Sequence, residues 1–121
     1  MIEAGKKLLV ELYVESKISG FYDIWISFYI DTSSGIKILK EMEILDYINL
    51  KQGSFKYSYT TPAPIPEYIK EQGRLFVIIK IGRYNTSKKY FEYVFAEKRF
   101  FVDYVTPKHK YKLYKVEIVP D

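Results

Sequence analysis

Apolar and polar side chains alternate along most of this chain, and a period of two marks strands with one buried face. From Lys6 to Glu15, Leu8, Val10, Leu12 and Val14 share one parity while Glu11 and Glu15 take the other. Ser19 and Gly20 then turn the chain into Phe21 to Asp31, where Tyr22, Ile24, Ile26, Phe28 and Ile30 form an apolar row. The opposite parity holds Phe21, Trp25 and Tyr29 beside Asp23 and Ser27, so this strand is nearly apolar on both faces. An antiparallel strand usually leaves one face wet, and large apolar patches on monomers mark interaction sites. Phe21, Trp25 and Tyr29 are therefore the candidate protein-binding residues. A partner is favoured as their cover, because Trp and Tyr are enriched at interfaces.

Asp31 to Gly35 reads as a turn. Ile36 to Leu50 carries two signals: Leu39, Met42 and Leu45 recur at helical spacing, whereas Ile36, Ile38, Met42 and Ile44 alternate with Lys37, Glu41 and Glu43. A strand is favoured. Gly53 opens Ser54 to Thr60, with Phe55, Tyr57 and Tyr59 on one side, and Pro62, Pro64 and Pro66 then form a stiff crossover between sheets. Glu67 to Gly73 reads as a loop or a single helical turn. Leu75 to Ile79 is a continuous apolar run, as in a strand buried on both faces. Arg83 to Ser87 reads as a hairpin loop, followed by Lys89 to Ala96. A strand unbroken to Val105 would exceed the usual length, so a break is expected at Glu97 and Lys98. In the last strand, Lys110 to Val119, the apolar parity slips, and a β-bulge near Leu113 would reconcile it. Seven or eight short strands without a long amphipathic helix point to an all-β antiparallel sandwich, with a partly closed barrel as the alternative.

The 121 residues suit one domain spanning 1–121, and a hydrophobic fraction of 48% is ample for its core. There is no cysteine, which excludes a disulfide framework and thiolate metal sites. Abundant Lys, Glu, Ile and Tyr, with Asn only at Asn49 and Asn85 and Gln only at Gln52 and Gln72, point to a thermophilic archaeon or its virus as the source. No window is long and apolar enough for a secretion signal or a membrane helix, so a cytoplasmic protein without membrane insertion is expected.

Catalytic chemistry finds little purchase. His109, the single histidine, lies in a basic turn with no acid beside it in sequence, and a general base needs an orienting partner. The six glycines are too scattered to cradle a phosphate, and Asp31, Asp46 and Asp103 are too far apart in sequence for a calcium loop. The expectation is no enzyme, no metal and no cofactor. Lys108, Lys110 and Lys112, interleaved with Tyr111 and Tyr114, form the one basic patch suited to phosphates and stacked bases. Lysines also guard an edge strand against aggregation, so nucleic acid ranks behind protein as the partner.

One further pattern spans about two-thirds of the chain. Leu50 and Gly53, then Phe55, Tyr57 and Tyr59, then Pro62, Ile65 and Pro66, then Gly73 ahead of Leu75 to Lys80 occur in an order that resembles the arrestin-like family. The two strands around Gly20 are compatible with the start of such a domain. The resemblance implies an immunoglobulin-like sandwich serving as an adaptor or trafficking scaffold. Two departures accompany it: Glu67 and Tyr68 stand where that family often has a serine, and the length allows one sandwich rather than a tandem pair. The expected function is a non-enzymatic binding or adaptor module acting on a protein partner or by self-association. A structural subunit of a viral particle or surface assembly, or a small nucleic-acid binder, are the alternatives.

Overall fold

The computed structural model describes residues 5, 7–32, 35–65, 74–102 and 111–118, with the backbone alone at 32, 74, 100–102 and 111–118. Among them the regular structure is all β apart from one 3₁₀ turn. The strands are β1 (Leu9–Ser16), β2 (Gly20–Thr32), β3 (Gly35–Ile38), β4 (Ile44–Leu50), β5 (Gly53–Thr60), β6 (Arg74–Asn85), β7 (Tyr90–Val102) and β8 (Tyr111–Ile118). One sheet has the order β5-β1-β8; the other runs β3-β2-β6-β7, with β4 also paired to β2. Because β6 occupies one side of β2, β3 and β4 follow one another along the other side.

The alternation read from the sequence builds the core. Val10, Leu12 and Val14 of β1 join Ile24, Ile26, Phe28 and Ile30 of β2 and Leu75, Val77, Ile79 and Ile81 of β6 in a single buried cluster between the sheets. Each such side chain contributes roughly 1.5–3 kcal/mol when fully withdrawn from water. Phe55, Tyr57 and Tyr59 close the β5 end of the cluster, and β5 and β6 lie in different sheets on either side of the proline segment. The Tyr57 hydroxyl donates to the Asn49 carbonyl at 2.8 Å and so ties β5 of one sheet to β4 of the other.

Both signals in Ile36 to Leu50 have a physical origin. The strand is interrupted by a 3₁₀ turn at Lys40–Met42, in which the Leu39 amide donates to the Phe28 carbonyl at 2.8 Å and the Met42 amide to the Leu39 carbonyl at 3.0 Å. Leu39 and Met42 thereby reach the core three residues apart. Leu45, the third member of that spacing, lies beyond the turn in β4 and is exposed.

Three expectations need correction. β7 is unbroken from Tyr90 to Val102, because β6 is almost as long and pairs along it; Glu97 is held on the sheet by Lys80 at 3.7 Å and Arg99 at 3.0 Å. The bulge expected near Leu113 does not occur, since β8 pairs with β1 in constant register from Tyr111 to Ile118. That pairing is also parallel, whereas every other strand pair among the described residues is antiparallel. β7 and β8 belong to different sheets, so no hairpin dictates the direction of β8. The register shifts fall instead between β6 and β7, at Ile81/Gly82 and Arg83/Tyr84.

Thr61 seals the end of β5. Its Oγ1 accepts the Leu8 amide at 2.9 Å and its own amide donates to the Leu8 carbonyl at 2.9 Å, with both residues buried. Thr61→Val keeps the shape but leaves the Leu8 N–H without an acceptor. A loss of about 1–3 kcal/mol is expected, the cost of an unsatisfied buried donor, measured as a lower urea midpoint at unchanged slope.

Tyr59 is the opposite case: its hydroxyl is buried and no described group bonds to it. Burial, with the Asp46 carboxylate and then Tyr57 adding to it, pushes the phenol well above its ordinary value near 10. A raised folded-state pKa means that only the unfolded chain releases this proton just above pH 10, so stability falls as pH rises through that range. Tyr59→Phe is expected to leave neutral-pH stability equal or slightly higher and to flatten the alkaline decline. Guanidinium melts from pH 8 to 11 on both proteins measure this.

Candidate functional site

The two outer faces of this sandwich-like fold differ sharply. On the three-stranded sheet, Glu11, Tyr13 and Glu15 of β1 lie beside Ser54, Lys56, Ser58 and Thr60 of β5, with Lys56 Nζ 3.8 Å from Glu11. Among the described residues of β1 and β5 this face is mainly polar, with Tyr13 its one large exposed ring. On the five-stranded sheet the outward parity of β2 is Phe21, Asp23, Trp25, Ser27 and Tyr29, flanked by Ile36 and Ile38 of β3, Leu45 and Tyr47 of β4, and Phe76 and Ile78 of β6.

On the β6–β7 half the rings next to β2 cover one another, while Tyr90, Tyr93 and Val94 of β7 are exposed. Trp25 meets Tyr84 edge to face at 4.8 Å and stacks on Phe91 at 5.8 Å, while Tyr84 and Phe91 touch at 5.2 Å. Tyr29 lies against Phe76 at 5.9 Å. Ile78 is buried, on the strand that carries Lys80 and beside the segment that carries Glu97 and Arg99. The β3–β4 half is bare. Phe21, Ile36, Ile38, Leu45 and Tyr47 are each between 46% and 63% exposed, and Phe21 and Tyr47 stack on one another at 5.5 Å and 11°.

The aromatic cluster depends on the register shifts. Phe91, Tyr93 and Phe95 would share one face of a regular strand, but an extra residue at Phe95 and another at Glu92 break the alternation. Phe95 is thereby buried in the core, and Phe91 reaches Trp25 on the outer side. Where the β2–β6 ladder ends at Asp23 and Gly82, Asp23 Oδ2 accepts the Tyr84 amide at 2.9 Å and fixes Tyr84 over Trp25. Arg83, pointing to the other side, lies 4.4 Å over the Tyr22 ring and donates to the Phe21 carbonyl. In the hairpin loop, Asn85 Oδ1 accepts the Lys88 amide at 2.9 Å and the Asn85 carbonyl accepts the Lys89 amide at 2.8 Å.

Between the two halves runs a groove of about 560 Å³. Trp25, Tyr29, Ile38, Leu45 and Tyr84 line it with apolar surface, and the displaced 3₁₀ segment and the hairpin loop add Lys40, Glu43 and Lys89. Burial raises the Glu43 carboxyl above its ordinary range, with the Lys40 ammonium acting against that rise. The groove is amphipathic, with apolar walls and charged ends. Among the described residues no group of three metal-ligating side chains occurs, and no helix is long and apolar enough to cross a membrane.

No family model, curated protein or solved structure matches this chain.

Of the residues singled out in the sequence, Phe21, Trp25 and Tyr29 do lie on one face, but they do different things. Phe21 is exposed, whereas Trp25 and Tyr29 are half-buried under rings of their own chain. Lys108, Lys110 and His109 lie outside the described residues; the Lys112 backbone pairs opposite Val10. Sequence reading missed Ile36, Ile38, Leu45 and Tyr47 as surface residues. The signal was present in Ile44 to Leu50, where Ile44, Ile48 and Leu50 share one parity and Leu45 and Tyr47 the other, the same two-sided pattern as β2.

Proposed function

We propose that this protein is a non-enzymatic binding module of immunoglobulin-like sandwich type, and that it docks another protein on the β3–β4 half of its five-stranded sheet. One observation carries the reading: five large apolar side chains stand exposed together there, while among the described residues of the other sheet's outer face Tyr13 is the one large exposed ring. Isolated exposed apolar residues are ordinary, but a contiguous row flanking a groove is what protein-binding surfaces present. The arrestin-like resemblance agrees with an adaptor role. A photo-crosslinking side chain placed at Tyr47 tests the reading in the producing cell, with Tyr13 on the opposite sheet as control. Protein adducts at position 47 and none at 13 are expected. Equal labelling at both, or no protein adduct at 47, would overturn it.

A further inference from the structure

Resting on that reading, we infer that the protein seated on this face is a second copy of the same chain, related by a two-fold axis, with the Phe21–Tyr47 pair of each copy inserted in the groove of the other. A two-fold contact requires one surface to carry both a projection and its matching recess. This face carries both. The stacked rings of Phe21 and Tyr47 form the projection, and the groove floored by Trp25, Ile38 and Leu45 forms the recess. They lie along the same strands: Phe21 is four residues from Trp25 on β2, about 13 Å at the rise of a strand, and Tyr47 is two from Leu45 on β4. A two-fold axis between them brings each projection over the partner's recess.

The exposed area agrees with this occupant. The five exposed side chains present on the order of 500 Å² of apolar surface, at the top of what monomers leave bare and over half of what one side of a standard interface buries. The half-buried groove residues Tyr29 and Tyr84 add to that. For this half of the sheet, pairing through the β3–β4 edge is the less suitable geometry. The 3₁₀ turn splits that edge into strands of four and seven residues, and short, interrupted edges resist strand addition.

The test is sedimentation equilibrium of the full chain over micromolar to millimolar concentration, with Tyr47→Glu removing the projection and Leu45→Arg filling the recess. Both positions are exposed, so both variants are expected to keep the wild-type melting curve. The wild type should dimerise, and each variant should dissociate at least tenfold more readily. Because the chain has no cysteine, the geometry is read separately by oxidising a mixture of Tyr47→Cys and Ile38→Cys chains. The mixed disulfide should exceed either symmetric one several-fold. A dimer untouched by both substitutions, or symmetric disulfides in excess, would overturn the inference. A wild type monomeric at every concentration would also overturn it, and if position 47 still crosslinks to a different protein in the cell, the binding reading survives without it.

Discussion

Gly82→Ala is expected to be the most damaging single methyl group that can be added to this protein. Gly82 sits at the first register shift between β6 and β7, opposite Val94, where the strands approach closely. A Cβ built there collides with the carbonyl oxygen of Tyr93 and crowds the Val94 backbone. The obstacle is main chain on a paired strand, so no side-chain rotation relieves it. Overpacking typically costs about 1–3 kcal/mol, and a collision with main chain is expected at the top of that range, a large fraction of the roughly 5–15 kcal/mol that holds a typical domain together. Thermal and urea unfolding should both show it. Gly35 provides the control, because a Cβ there meets nothing, and the strain of its left-handed backbone is the only penalty.

The second large effect separates the halves of the outer face. Trp25→Glu is expected to destabilise the fold by several kcal/mol, since it removes a ring packed on Tyr84 and Phe91 and puts a carboxylate among aromatic side chains. Tyr47→Glu, on the same face at the neighbouring strand, should change stability by less than about 0.5 kcal/mol, as exposed substitutions do. Melting curves of the two variants side by side measure the contrast. Comparable losses at both positions would mean that the face is covered, or bare, throughout.

Much of the fold was legible because burial enforces the period-two pattern. Val10 to Val14 and Ile24 to Ile30 lie where alternation puts them, and the apolar Leu75 to Ile79 run has both of its faces largely covered. What misled was interaction between distant strands. The length of β7 depends on β6 running beside it, and the placement of Phe91 depends on two extra residues that act only against a paired partner. The direction of β8 follows from the sheet it joins, which no local pattern encodes. The candidate site was half legible for the same reason. Phe21, Trp25 and Tyr29 announce a two-sided strand, but which rings are covered depends on Tyr84 and Phe91 at Trp25 and on Phe76 at Tyr29, all more than forty residues away in sequence.

Hydroxyl-radical footprinting of the intact chain, at protein concentrations below and above association, tests most directly whether the bare half of the five-stranded sheet is the binding surface. The expected result is protection of Phe21, Ile38, Leu45 and Tyr47 on association, with Tyr13 on the opposite sheet and Tyr90 and Tyr93 on the far strand unchanged. Protection centred on Tyr13, or no difference at Leu45 and Tyr47 while the protein is associated, would contradict it.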